Sequence, residues 1–152
     1  HHESLWKDDP EAFEVVENAL REFDLTHLSA RSIETLSGGE SQRLALAQLV
    51  AQAPTLYLLD EPSNHLDLAH QLKGLQRLKE KVTSNRAALV MASHDINLVS
   101  QMCDHVLLLM GDGSYLAGRV SEILQEEYLS EAFGCRIRRV ESGKEAFFFP
   151  LT

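Results

Sequence analysis

The sequence predicts an α/β protein built on a parallel sheet, and two observations predict it. "TLYLLD", "AALVMASH" and "HVLLLMGDG" are short, nearly continuous apolar runs, the pattern of strands covered on both faces. Helical segments separate them: Leu72, Leu75 and Leu78 mark a helix over Gln71–Val82, and Ile96–Met102 supplies another. Strand, helix, strand, helix, strand implies parallel pairing through right-handed crossovers.

Before the first strand the chain reads as helical. "DDPEAFEVVENALREFDL" offers Asp9 as N-cap, Pro10 at the first helical position and Glu11 in the first turn. Ala12, Val15, Val16, Ala19, Leu20 and Phe23 recur at helical spacing. "SGGESQRLALAQLVAQ" predicts a second helix that stops before Pro54. After the third apolar run, "SYLAG" predicts a short strand, "SEILQEEYLSEAFG" a helix, and "CRIRRVESGKEAFFFP" a hairpin turning near Gly143.

With 152 residues the chain can bury one sizeable core. A net charge of −9 argues against a nucleic-acid surface, which needs clustered Lys and Arg. The longest apolar stretches are too short to cross a bilayer. Cys103 and Cys135 have no metal-ligand spacing and form no disulfide framework, so both are expected as packed thiols.

Asp60 and Glu61 end the first predicted strand, the place where open α/β sheets carry ligand chemistry. Asp60 there suits Mg²⁺, and Glu61 suits polarising an attacking water. The same "DE" also fits a polar loop that merely follows a strand. "SGGE", Ser37 to Glu40, likewise reads two ways. Ser and the third-following Glu form a capping box, yet two glycines weaken a helix and let an anion approach its N-terminal amides. His94, after "ALVMAS", is either structural or a hydrogen-bond donor to a phosphate at the edge that carries Glu61.

In this order the segments resemble the ATP-binding-cassette (ABC) ATPases, and the resemblance covers essentially the whole chain. "LSGGESQR" is similar to the signature motif, "LYLLDE" to the Walker B strand, "SNHLD" to the D-loop and "SHD" to the switch histidine. The resemblance implies ATP and Mg²⁺ as cofactors. It places Ser37, Gly38, Gly39, Glu40 and Gln42 toward ATP held by the opposite subunit, with Ser37 to Gly39 on its γ-phosphate. It makes Asp60 the magnesium residue, Glu61 the catalytic base, His94 the γ-phosphate sensor and Asp67 a coupler across the dimer.

Such an enzyme also needs the phosphate loop, Gly-x-x-x-x-Gly-Lys-Ser/Thr. The only Gly-Lys, Gly143-Lys144, is followed by Glu145, and Arg138 stands in the first glycine's place. The family places that loop before the signature. The chain is therefore expected to be the carboxy-terminal portion of a nucleotide-binding subunit, inactive alone. The expected fold is a partial P-loop-NTPase-like sheet with helices on both faces and the Walker A part absent. Residues 1–52 would belong to the helical subdomain and 53–152 to the ATPase core.

"SNHLDLAHQ" and the tail "EILQEEYLSEAFGCRIRRVESGKEAFFFP" further resemble importer ATPases for cobalamin, iron-siderophore and haem. That implies a homodimer on the cytoplasmic face of the cell membrane. Its partners would be an integral-membrane permease and, indirectly, a periplasmic or surface binding protein, with no nucleic acid. The tail also fits a structural cap with Phe147–Phe149 buried. Two other functions stand beside import. One is a soluble ABC ATPase of the translation-factor or chromosome-maintenance type, although no sustained heptads precede the signature. The other is a non-catalytic regulatory fragment.

Overall fold

A computed structural model describes residues 9–64, 67–143 and 145–151. The chain divides into two compact units, His1–Ala92 and Ser93–Thr152.

In the first unit, α1 (Pro10–Glu22) starts where the sequence places it. Asp9 Oδ1 accepts the backbone N–H groups of Glu11 and Ala12, each at 3.1 Å. Ala19 and Phe23 are buried against α2 (Gly38–Gln52), but Val15 and Val16 remain exposed. The apolar stripe is therefore wider than the face α2 covers. α2 ends at Ala53, whose φ of 44° leaves the helix before Pro54, a residue that could not continue it.

β1 (Leu56–Asp60), α3 (Leu68–Ser84) and β2 (Ala88–Ala92) follow. The strands pair in parallel, with Tyr57 opposite Leu89 and Asp60 opposite Ala92, and α3 is the crossover. Tyr57, Leu46, Ala47, Val50, Phe23 and Leu78 form the core, with Leu59 and Leu89 packed against it. These strand residues share one face by the twofold alternation of a strand. On the other face Leu56, Leu58 and Val90 are 50%, 67% and 58% exposed. The expected cover on both faces is thus realised on one only. An apolar run reports that a strand is meant for burial, not that the covering layer lies in the same stretch of chain.

The second unit holds α4 (Ile96–Met102), β3 (His105–Leu109) and β4 (Tyr115–Arg119). The third predicted strand is present, but its partner differs from expectation. β3 pairs antiparallel with β4, in a sheet separate from β1 and β2. The cause is the five-residue connection Met110–Ser114, too short for a parallel crossover. Gly113 supplies the left-handed φ of 89°, and Asp112 Oδ1 accepts the Ser114 N–H at 2.8 Å and its hydroxyl at 2.6 Å.

The helix predicted over "SEILQEEYLSEAFG" is two helices, α5 (Val120–Ile123) and α6 (Glu126–Phe133). Leu124 leaves the helical conformation and buries its side chain, and Gln125 is extended. β5 (Ile137–Ser142) and β6 (Glu145–Pro150) then form the expected hairpin, with Gly143 at φ 66° in its turn. Lys144 lies outside the described residues. Asn97 holds β6 as a strand would: Nδ2 donates to the Phe148 carbonyl at 3.1 Å and Oδ1 accepts its N–H at 2.7 Å. Phe148 is buried but Phe149 is 49% exposed, so strand alternation overrides the reading of Phe147–Phe149 as uniformly buried. Cys135 is also exposed, against its expected packing, while Cys103 is partly buried. Among the described residues no helix is long and apolar enough to cross a membrane.

Candidate functional site

The start of α2 is a complete capping box. Ser37 takes an extended conformation, and its backbone N–H and hydroxyl both donate to Glu40 Oε2 at 2.7 Å. The Glu40 N–H donates back to Ser37 Oγ at 3.3 Å. These bonds, the Ser37 N–H first and its hydroxyl second, hold the Glu40 carboxyl below its ordinary pKa of 4.5. Gly38 and Gly39 open the helix, where first-turn amides have no intrahelical acceptor.

β1 follows α2 in the same unit. Asp60 is its last residue and is exposed. Glu61 then turns out of the strand at φ 46°. A non-glycine residue in that region costs roughly 1–3 kcal/mol and persists only where its surroundings determine it. Here the Glu61 N–H donates to the Ala92 carbonyl at 3.0 Å, prolonging the β1–β2 ladder, and the Glu61 carbonyl accepts the Asn64 N–H at 3.1 Å. Pro62 is fully buried, and its carbonyl accepts Gln42 Nε2 at 3.1 Å. The Glu61 side chain is half-buried, with Oε2 shielded from solvent.

The bond from Gln42 to Pro62 joins the signature helix to the carboxylate loop across 20 positions of sequence. Sequence reasoning placed Gln42 toward ATP and gave Pro62 no role. No local pattern could have paired them, because neither residue's type specifies a partner so distant.

Asp67 caps α3. Its Oδ1 accepts the His70 N–H at 3.0 Å, and Oδ2 lies 2.7 Å from His70 Nδ1. The His70 backbone N–H, then its ring, holds the Asp67 carboxyl below its ordinary pKa. His65 and Leu66 of "SNHLD" lie outside the described residues. His94 is exposed and belongs to the second unit, between β2 and α4. The other site candidates, Ser37 to Glu40, Gln42, Asp60, Glu61 and Asp67, all belong to the first.

Residues 2–64 match the family model described as ABC transporter. The hemin import ATP-binding protein HmuV of Ruegeria sp. (strain TM1040) is 36% identical over 144 residues, 88% of this chain and 55% of that protein. The chain belongs to the ABC transporter family. The achromobactin transport ATP-binding protein CbrD of Dickeya dadantii (strain 3937) is also 36% identical, over 87% of this chain and 49% of its own length. Among solved structures, an inward-facing "metal-chelate type ABC transporter" matches with a TM-score of 0.79 at 31% identity, over 98% of this chain and 61% of that one. The chain spans about half the length of the curated relatives it matches.

Among the described residues no group of three or more His, Cys, Asp or Glu side chains could hold a metal ion. A single exposed carboxylate, Asp60, fits an ion that keeps its waters and is otherwise held by phosphate, as Mg²⁺ commonly is.

Proposed function

We propose that this chain is the carboxy-terminal part of the ATP-hydrolysing subunit of a membrane importer, with a metal chelate such as haem, a ferric siderophore or cobalamin as cargo. One observation carries the catalytic reading. Glu61 follows a strand whose last residue is Asp60, and its left-handed backbone is fixed by hydrogen bonds from the sheet and its own loop. A carboxylate placed and shielded in this way suits a general base. The import reading rests on relatives named for hemin, achromobactin and cobalamin import or transport.

In this reading Glu61 takes the proton of the attacking water, and Asp60 would hold Mg²⁺ through water. Magnesium, when bound, supplies charge to the phosphate oxygens. The start of α2, Ser37 to Gly39 with Glu40 and Gln42 behind it, faces ATP held by the opposite subunit. His94 contacts the γ-phosphate, and Asp67 couples the two sites of a homodimer. The subunit sits on the cytoplasmic face of the membrane, against a separate permease served by a binding protein. Residues 1–52 form part of the helical subdomain and 53–152 part of the ATPase core.

The test uses the intact subunit. Glu61→Gln keeps the side-chain shape but removes the base, so ATP should still bind while hydrolysis falls by at least about 100-fold. Gly39→Asp should instead abolish ATP-driven dimerisation and leave nucleotide binding by the monomer in place. Hydrolysis by Glu61→Gln at the parental rate would remove the assignment of the base.

A further inference from the structure

We infer that Gln42 is a positioning residue that fixes the backbone of Glu61 from the signature helix. Two observations carry this. Glu61 holds φ 46°, a conformation that must be imposed from outside because its own side chain opposes it. Gln42 then supplies a restraint that is not local to the loop: its Nε2 donates at 3.1 Å to the carbonyl of Pro62, the next residue. Pro62 is fully buried and its ring fixes its own φ, so anchoring its carbonyl limits how the Glu61–Pro62 peptide can rotate. Only a donor can serve a carbonyl, which also settles which end of the Gln42 amide points there.

Gln42 lies in the second turn of α2, five residues after Ser37. The helix is a rigid element, so a displacement of its first turn is carried to Gln42 and from there to Pro62. Contact of Ser37 to Gly39 with a phosphate would in this way be felt at Glu61. This consequence rests on the proposed role of Glu61 as base; the positioning itself does not.

Two measurements keep those claims apart. The first uses this chain alone. Gln42→Met removes the donor at similar volume, and Gln42→Glu keeps the shape but offers an acceptor to an acceptor. In both, amide hydrogen exchange at Glu61 and Asn64 should quicken about tenfold, the factor carried by one hydrogen bond, while the central amides of α3 keep their rates. Unchanged exchange at Glu61 and Asn64 would overturn the inference, and should Gln42→Met fail to fold, Gln42→Glu decides alone. The second uses the intact subunit. Both variants should lower kcat for ATP about tenfold with KM changed far less, and Gln42→Glu should recover toward the parental value as its carboxyl protonates at low pH. Faster exchange with an unaltered kcat would keep the positioning and sink the role of Glu61 as base.

Discussion

Ser37 and Glu40 hold each other from both sides: two donors of Ser37 meet one carboxylate oxygen of Glu40 at 2.7 Å, and the Glu40 N–H returns to Ser37 Oγ at 3.3 Å. The structure therefore realises the capping box in full. It does not compete with the phosphate reading, because the amides of Gly38 and Gly39 are not used by the cap.

The first prediction follows from that pair. Ser37→Ala should destabilise the chain by about 1 kcal/mol, the ordinary cost of a lost N-cap. The acid limb should change as well. Glu40 is held below its ordinary 4.5 and Asp67 below its ordinary 3.8. A lowered folded pKa gives stability that is present above the ordinary value and lost as pH falls through the lowered one. Melting temperatures between pH 7 and pH 2.5 should therefore fall more steeply below about pH 4.5 in the parent than in a Glu40→Gln/Asp67→Asn chain, which titrates at neither position. Parallel curves would remove this assignment of the acid sensitivity.

Tyr57 supplies the second. It is fully buried, and its hydroxyl has no hydrogen-bond partner among the described residues. An unpaired buried hydroxyl carries its desolvation cost without return, about 1–3 kcal/mol. Tyr57→Phe should consequently leave the core volume nearly intact and raise stability by up to about 1 kcal/mol. Denaturant unfolding measures this directly. A loss exceeding the error of the fit would mean that the hydroxyl has found a water.

How much of this was legible beforehand depends on distance along the chain. The caps at Asp9 and Ser37 were readable because each is written within four residues. The strand cores were readable as short apolar runs, and the helix Ile96–Met102 from its place between two of them. The partner of β3 was not, since an apolar run of five residues states no direction, and "GDG" was read only as the end of that run. The break at Leu124 was hidden because the helical spacing continues across it. Asp60 and Glu61 were legible as residue types at the end of a strand. The positive φ of Glu61 and the bond from Gln42 to Pro62 were not, because both arise from tertiary packing.

The third prediction concerns the open side of the parallel pair. Leu56, Leu58 and Val90 make an apolar stripe in contact with solvent, and stripes of this kind mark surfaces that seek a partner. The chain alone should self-associate through it. Leu58→Lys with Val90→Thr should weaken that association, seen as a lower weight-average mass in sedimentation equilibrium, with little change in helix content by circular dichroism. An unchanged mass would place the association elsewhere.

The fourth concerns nucleotide. Tight ATP binding in this class of enzyme needs a loop that wraps the phosphates, set between a strand and a helix. The only Gly-Lys of the sequence is Gly143-Lys144, and Gly143 lies in a hairpin turn between β5 and β6, so that a strand follows it where the loop requires a helix. Arg138, at the place of the first glycine, is paired in β5 opposite Phe149. What remains for an anion is the start of α2, a few amides beside the Glu40 carboxylate, whose negative charge opposes a second anion. Asp60 without a phosphate to share the ion should hold Mg²⁺ only weakly. The 152-residue chain should therefore show no ATPase activity and no measurable heat on titration with Mg-ATP, as monomer or as self-associated species. Binding in the micromolar range at one nucleotide per chain would mean that another segment cradles the phosphates, and the assignment of this chain as one half of a shared site would fall with it.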